Sequence, residues 1–193
     1  MPSPTRSRIL ATSSRLYLRG GDQSLSMRRV ANQIGVSATA IYRHFPGRAE
    51  LVEAVVEQAF AEFERFLLAT PPAPPGRERL RRFVQQYFDF SVKKPRLFEV
   101  LFLRRRANLR RYPDDFANAP SRAFELLHDN VRAAVQAGAL RRDIDTREMA
   151  LTLWTHGHGF AAQHWVGRFG PDSPRIRRMY DRYMDLLLEG LAK

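Results

Sequence analysis

The chain contains no cysteine, which excludes a disulfide scaffold, thiolate zinc, iron–sulfur chemistry and a cysteine nucleophile together. Strand patterns are missing as well: β-branched residues are sparse and no stretch alternates apolar with polar residues. No run approaches the ~20 apolar residues that a membrane span requires. Met1–Gly21 carries Arg6, Arg8, Arg15 and Arg19 without a continuous apolar core, so no secretory leader is expected. The chain reads as cytoplasmic, with no membrane partner. Neither a Gly-rich phosphate loop nor a serine elbow is found. His156, His158 and His164 do not share one helical face, and no acidic neighbour completes a metal set. His128-Asp129 and Asp114-Asp115 lack the further ligands that a phosphohydrolase or a magnesium site needs. No enzyme, metal or cofactor is expected.

What the chain has in excess is positive charge. Its 193 residues hold 32 basic and 20 acidic side chains, a net +12, with 44% apolar residues. A chain of that length can hide roughly 70% of its unfolded surface. The charge exceeds what solubility needs and points to an anionic partner. It is also unevenly placed. Residues 1–48 carry eight arginines against one acid, Asp22, a balance of +7 that leaves only +5 for the rest. Glu50, Glu53, Glu57, Glu62 and Glu64 follow immediately with only Arg65 among them. A second basic stretch, Arg77 to Arg111 with Arg104-Arg105-Arg106 inside it, reads mainly as the wet face of two helices.

Apolar residues recur at three and four, so the fold is expected to be all-α. The first helix covers about 5–19 and stops at Gly20-Gly21. Ser26 caps a short helix over 27–34, Gly35-Val36 makes a turn, and Ser37 caps another that ends near His44. After Pro46-Gly47 a longer helix starts at Arg48 and ends at Thr70. Pro71-Pro72-Ala73-Pro74-Pro75-Gly76 is a stiff connector that cannot be helical. Further helices are expected at roughly 77–93, 95–109, 120–137, 146–168 and 174–191. The domain plan is therefore a head over 1–48, a connecting helix over 49–70, a proline-rich connector over 71–76, and a helical body over 77–193.

Two short helices joined by a tight turn are the minimum for inserting a helix into the DNA major groove. Val30, Ala31, Ile34, Val36 and Ile41 supply a small core beneath the turn. Ser37, Ala38, Thr39 and Ala40 form the leading turn of the inserted helix, small enough to approach base edges and phosphates. Tyr42 and His44 can donate to phosphate oxygens, Arg48 supplies a cation, Arg43 suits a bidentate pair with guanine, and Arg28 reaches the groove edge.

The ordered stretch from Ser26 to Leu51, with Gly35-Val36-Ser37 at the turn and Tyr42-Arg43-His44-Phe45 after it, resembles the DNA-binding domain of TetR-family transcriptional regulators. The likeness extends over roughly 6–60. Two positions depart from the family pattern: Thr39 stands where glycine is common and Arg48 where lysine is usual. The resemblance implies phosphate contacts from Ser26, Ser37, Tyr42, His44 and Arg48, and base readout by Arg28, Ala38, Thr39, Ala40 and Arg43. Trp154-Thr155-His156-Gly157 resembles a segment of one class of TetR-family C-terminal domains.

The resemblance also implies a homodimer, because one head covers only a half-site and two must stand about 34–36 Å apart on a pseudo-palindromic operator. Met149, Leu153, Phe160, Ile176, Tyr180, Tyr183, Leu187 and Leu191 lie on apolar helical stripes and form the expected interface. An unidentified, largely apolar small-molecule effector would bind among Phe83, Tyr87, Phe88, Phe98, Leu101, Phe102, Phe124, Leu127, His128, Trp154, His158 and Trp165. Ordinary core packing also accounts for aromatics at these positions. The expected function is a repressor released by its effector; an activator of the same family and a nonspecific nucleoid-type DNA binder stay open.

Overall fold

The structure is a computed structural model and describes residues 4–104 and 121–193. All regular structure among them is helical: α1 (Pro4–Gly20), a 3-10 turn over Gly21–Ser24, α2 (Met27–Ile34), α3 (Ala38–Tyr42), α4 (Arg48–Leu68), α5 (Arg77–Lys93), α6 (Pro95–Phe98) continued by a π-helical turn over Glu99–Leu103, α7 (Arg122–Gln136), α8 (Thr146–Trp165) and α9 (Pro174–Gly190). Short polar residues fix most starts. The Ser26, Ser37, Ser121, Asp145 and Ser173 side chains each accept from a backbone N–H one helical turn ahead, satisfying donors that the helix itself cannot. Gly35 ends α2 at φ 71°, and Val36 N–H then returns to Ala31 C=O at 3.1 Å.

The helices group into two compact units. The first contains the chain up to Glu62 together with Arg96–Arg104. Its core unites Ile9, Leu16 and Tyr17 of α1 with Leu25, Val30, Ile41, Phe45, Leu51 and Val55. Val100, from the π-helical turn, is fully buried in the same core. Phe60 and Phe102 meet edge to face at 6.3 Å. Most of the segment expected as a continuous helix over 95–109 is thus short α and then π, with Arg104 N–H bonded to Glu99 C=O five residues back; residues 105–109 lie outside the described part.

The second unit contains Phe63–Pro95 and the described residues from 121 onward. α5 packs against α7, α8 and α9, and α7 packs against α8. Burial follows the helical period: Leu80, Phe83, Val84, Tyr87 and Phe88 are covered on α5, and Ile176, Tyr180, Met184 and Leu188 on α9. The chain end is tied back by an antiparallel bridge between Leu140 and Ala192. No helix among the described residues is long and apolar enough to cross a membrane.

Candidate functional site

In the head, the small core turns a defined set of side chains outward. Ile41 is fully buried and Phe45 nearly so, while Ser37, Ala38, Thr39, Tyr42 and Arg43 are exposed and Ala40 and His44 are partly covered. α3 ends at Tyr42, so His44 stands in the turn beyond it, its N–H on Ile41 C=O at 2.9 Å. Arg28 and Arg29 are exposed on α2, as are Asn32 and Gln33, which the motif reading passed over. Those two polar residues sit one turn beyond Arg28 and Arg29, a spacing that marks one outer face.

The arginines of the head divide by what they touch. Arg8 donates from Nη2 to the Ile34 carbonyl at 2.8 Å, across from α1 to the end of α2. The Arg6 guanidinium lies 4.9 Å from the Phe45 ring centre. Arg29 donates to Ser24 C=O, and Arg48 Nε donates to Leu25 C=O at 3.0 Å. Arg104, expected on a wet face, is instead largely covered and bound to Glu99. Positive charge here therefore serves two ends, joining helix carbonyls and leaving cations on the surface. Net charge alone cannot separate them.

In the second unit, α5 carries two aromatic clusters on different faces. On one, Phe88 stacks on Tyr180 at 4.5 Å and meets Phe160 and His164 edge on. Tyr180 donates its hydroxyl to Val84 C=O at 2.7 Å, and Gly157 lets α8 approach it, because a Cβ there would stand 3.1 Å from that hydroxyl. On the other face, Tyr87 meets Phe63 and His158, while Trp154 meets Phe124 and His158. The Trp154 indole, a donor only, hydrogen-bonds the Tyr87 hydroxyl, and Tyr87 lies 2.8 Å from His158 Nδ1. Burial pushes the Tyr87 phenol up and the His158 imidazole down, so both are neutral near pH 7.

The residues expected to line one effector pocket are distributed over both units. Phe98, Leu101 and Phe102 belong to the first unit, and Phe88 to the Tyr180 cluster. Tyr87, Phe124, Trp154 and His158 form one network, while Phe83 and Leu127 are buried. His128 is buried with Nε2 2.9 Å from Thr146 Oγ1. Trp165 is 37% exposed and donates to Pro95 C=O at 3.3 Å. A separate cleft of about 270 Å³ between α5 and α9 is edged by Gln85, Asp89, Arg177 and Asp181. Its polar groups satisfy one another: Arg177 binds Asp89 at 2.5 Å and Asp172 at 2.8 Å, and Gln85 binds Asp181 at 2.8 Å.

Of the expected interface residues, Met149, Leu153, Phe160, Ile176, Tyr180 and Leu191 are buried within the chain's own core. Their stripe is already filled by intramolecular packing; for Phe160 and Tyr180 the partner is Phe88. Leu187 is partly covered. The large apolar residues exposed on α8 and α9 or next to them are Trp165 at 37%, Tyr183 at 49%, Leu186 at 55% and Val166 at 59% exposed. Leu186 follows Arg175, Arg178 and Arg182 at helical spacing, and those exposed arginines mark the outer face in the sequence.

A family model for "Bacterial regulatory proteins, tetR family" matches residues 9–55, and one for "Tetracyclin repressor-like, C-terminal domain" matches 80–187. The chain belongs to the TetR family of transcriptional regulators. The second match includes the Trp154–Gly157 segment and covers most of the stretch expected as the helical body. The HTH-type transcriptional regulator AcrR of Shigella flexneri is 24% identical over 192 residues, covering 96% of this chain and 88% of that protein. The nucleoid occlusion factor SlmA of Mannheimia succiniciproducens is 31% identical over 87 residues, 45% of this chain, and the match spans only 40% of that protein's length. A bacterial regulatory protein of the tetR family from Rhodococcus RHA1 shares the fold at a TM-score of 0.66 and 20% identity, over 99% of this chain and 98% of that one. The family models and the helices of the described residues agree on a helix-turn-helix head and a larger helical body.

Proposed function

We propose that this regulator is a dimeric repressor that leaves its operator when a small, largely apolar molecule binds in the body. The observation that carries the DNA half of this reading is the outward face of the head. Ala38 and Thr39 stand at the open start of a helix, Arg43 and Arg28 flank them, and Tyr42 and His44 follow as phosphate donors. The alanines offer only methyl contacts, so base preference rests on Arg28, Thr39 and Arg43, while Ser26, Ser37, Tyr42, His44 and Arg48 hold the phosphates. Ser26 and Ser37 are also the caps of their helices, which places their hydroxyls beside backbone N–H groups that favour an anion.

Pairing of two heads is supported by the exposed apolar residues Tyr183 and Leu186 one turn apart on α9, a surface that a second copy would cover. For the effector, the neutral Trp154–Tyr87–His158 network offers uncharged hydrogen-bonding groups among rings, which suits an apolar molecule with one or two polar handles. Such a ligand weakens DNA binding only through different affinity for two states; a tenfold loss takes about 1.4 kcal/mol.

A paired substitution tests the division of labour in the head. Arg43→Ala is expected to relax base preference in duplexes selected from a random pool. Arg48→Lys, which keeps the charge but weakens the hold on Leu25 C=O, should bind less tightly with preference unchanged, and Arg48→Ala should weaken all sequences and flatten the salt slope by about two, one for each head. Equal behaviour of Arg43→Ala and Arg48→Ala would refute it.

A further inference from the structure

Arg96–Arg104 is remote in sequence from the head yet is part of it: Val100 is buried among Ile9, Leu16 and Tyr17. Arg104 closes this segment onto the C-terminal end of α1. Its Nε and Nη2 both bind Glu99 Oε1, at 3.0 and 2.8 Å, and its Nη1 lies 3.5 Å from the Tyr17 carbonyl oxygen. The guanidinium carbon is 5.6 Å from the Tyr17 ring centre. Glu99 also receives Arg96 at 3.2 Å; burial opposes its charge, but the two arginines outweigh that and hold its carboxyl below the usual range. A cation against the last carbonyls of a helix is favoured by the helix dipole.

Gly21 is the seat for this group. A Cβ there would stand 2.5 Å from Arg104 Nη1, and the backbone φ of 65° independently favours glycine. The other end of α1 holds the reading helices. Arg8 binds the Ile34 carbonyl immediately before the Gly35 turn, and Arg6 covers Phe45 just beyond α3. Between these grips lies one helix of 17 residues, a rod of about 25 Å. A rod passes an axial displacement from one end to the other almost undiminished, and base readout fails when donors move by ~1 Å from their partners.

We propose that Arg104 is a positioning residue for sequence-specific DNA reading, acting through α1 and the Gly21 seat rather than by touching DNA. It sets where α1 stands, and α1 sets the turn between α2 and α3. A residue that only supplies charge would raise affinity for every duplex alike. A residue that only supports folding would change the fraction of active protein and leave the properties of that fraction alone. A positioning residue instead changes the ratio of specific to nonspecific affinity.

The experiment uses the full chain and two duplexes of equal length, one selected from a random pool by the unaltered protein and one unselected. Affinities are read by fluorescence anisotropy at fixed salt, with the active fraction set by stoichiometric titration. Arg104→Ala is expected to lower affinity for the selected duplex about tenfold and for the unselected one by less than about twofold. Arg104→Lys should behave like Arg104→Ala, since an ammonium cannot span Glu99 and the Tyr17 carbonyl as the fork does. Glu99→Gln, which keeps the side-chain size but frees the guanidinium, gives the same readout if Arg104→Ala fails to fold, and a shift in the same direction is expected. An unchanged affinity ratio, equal losses on both duplexes, or full rescue by lysine would overturn the proposal. Failure of the unaltered protein to select any duplex would sink the regulator reading itself, which is a distinguishable result.

Discussion

The imidazole of His158 shows how one residue carries information that composition hides. Its Nδ1 lies 2.8 Å from the Tyr87 hydroxyl oxygen, and burial pushes its pKa below the ordinary value. In the unfolded chain the ring titrates near 6.5, so between that value and the lower folded one the unfolded state binds more protons. The stability tied to the neutral ring is therefore complete above about pH 6.5 and is lost as the pH falls toward the folded value. Thermal unfolding followed from about pH 7.5 down to about 5.5 should show a steeper fall in Tm for the unaltered protein than for His158→Gln. Parallel curves would show that the ring is not held neutral by burial. The sequence named His158 among the expected pocket residues, but its contact with Tyr87 was not legible, because it joins residues far apart in the chain. Arg104 is a similar case. Its triplet reads as surface charge, and only the packing of Val100 and the Gly21 seat reveal its covered position.

At the scale of elements, the contact between α8 and α9 rests on Gly157. A side chain there meets the Tyr180 hydroxyl, which is held by Val84 C=O and by stacking on Phe88, so it has little room to retreat. Gly157→Val should destabilise the fold by about 2 kcal/mol through overpacking, measured by urea unfolding. Gly157→Ala should cost less, because helix propensity returns up to ~1 kcal/mol. A stable Gly157→Val protein would contradict the close approach. Several helices were readable from their ends: the Ser26 and Ser37 caps, Gly35, Pro46-Gly47 and the 71–76 connector are chemical signals that act locally. The elements that escaped were the 3-10 turn over Gly21–Ser24 and the π turn over Glu99–Leu103. Gly21 and Arg104 meet across them, so tertiary contact and not local pattern accompanies both. The apolar stripe of α9 was readable as a stripe, yet its period cannot say whether a partner helix belongs to the same chain. Most of it is filled internally, and the exposed pair Tyr183 and Leu186 lies beside it.

For the whole molecule, charge placement is the most informative feature of the sequence, and it survives in an altered form. The head remains the basic end, but Arg8, Arg29 and Arg48 also hold backbone carbonyls, so its eight arginines overstate the cations given wholly to DNA. On the proposed paired-head account, specificity depends on two heads presented together more than on charge. Titration of one selected duplex with the purified regulator, repeated across a salt series with subunit stoichiometry read by sedimentation, measures both terms at once. Two subunits per duplex are expected, with log K falling against log salt at a slope of about −4 and weak competition from unselected duplex. A single subunit per duplex, or equal competition by any sequence, would contradict the paired-head account.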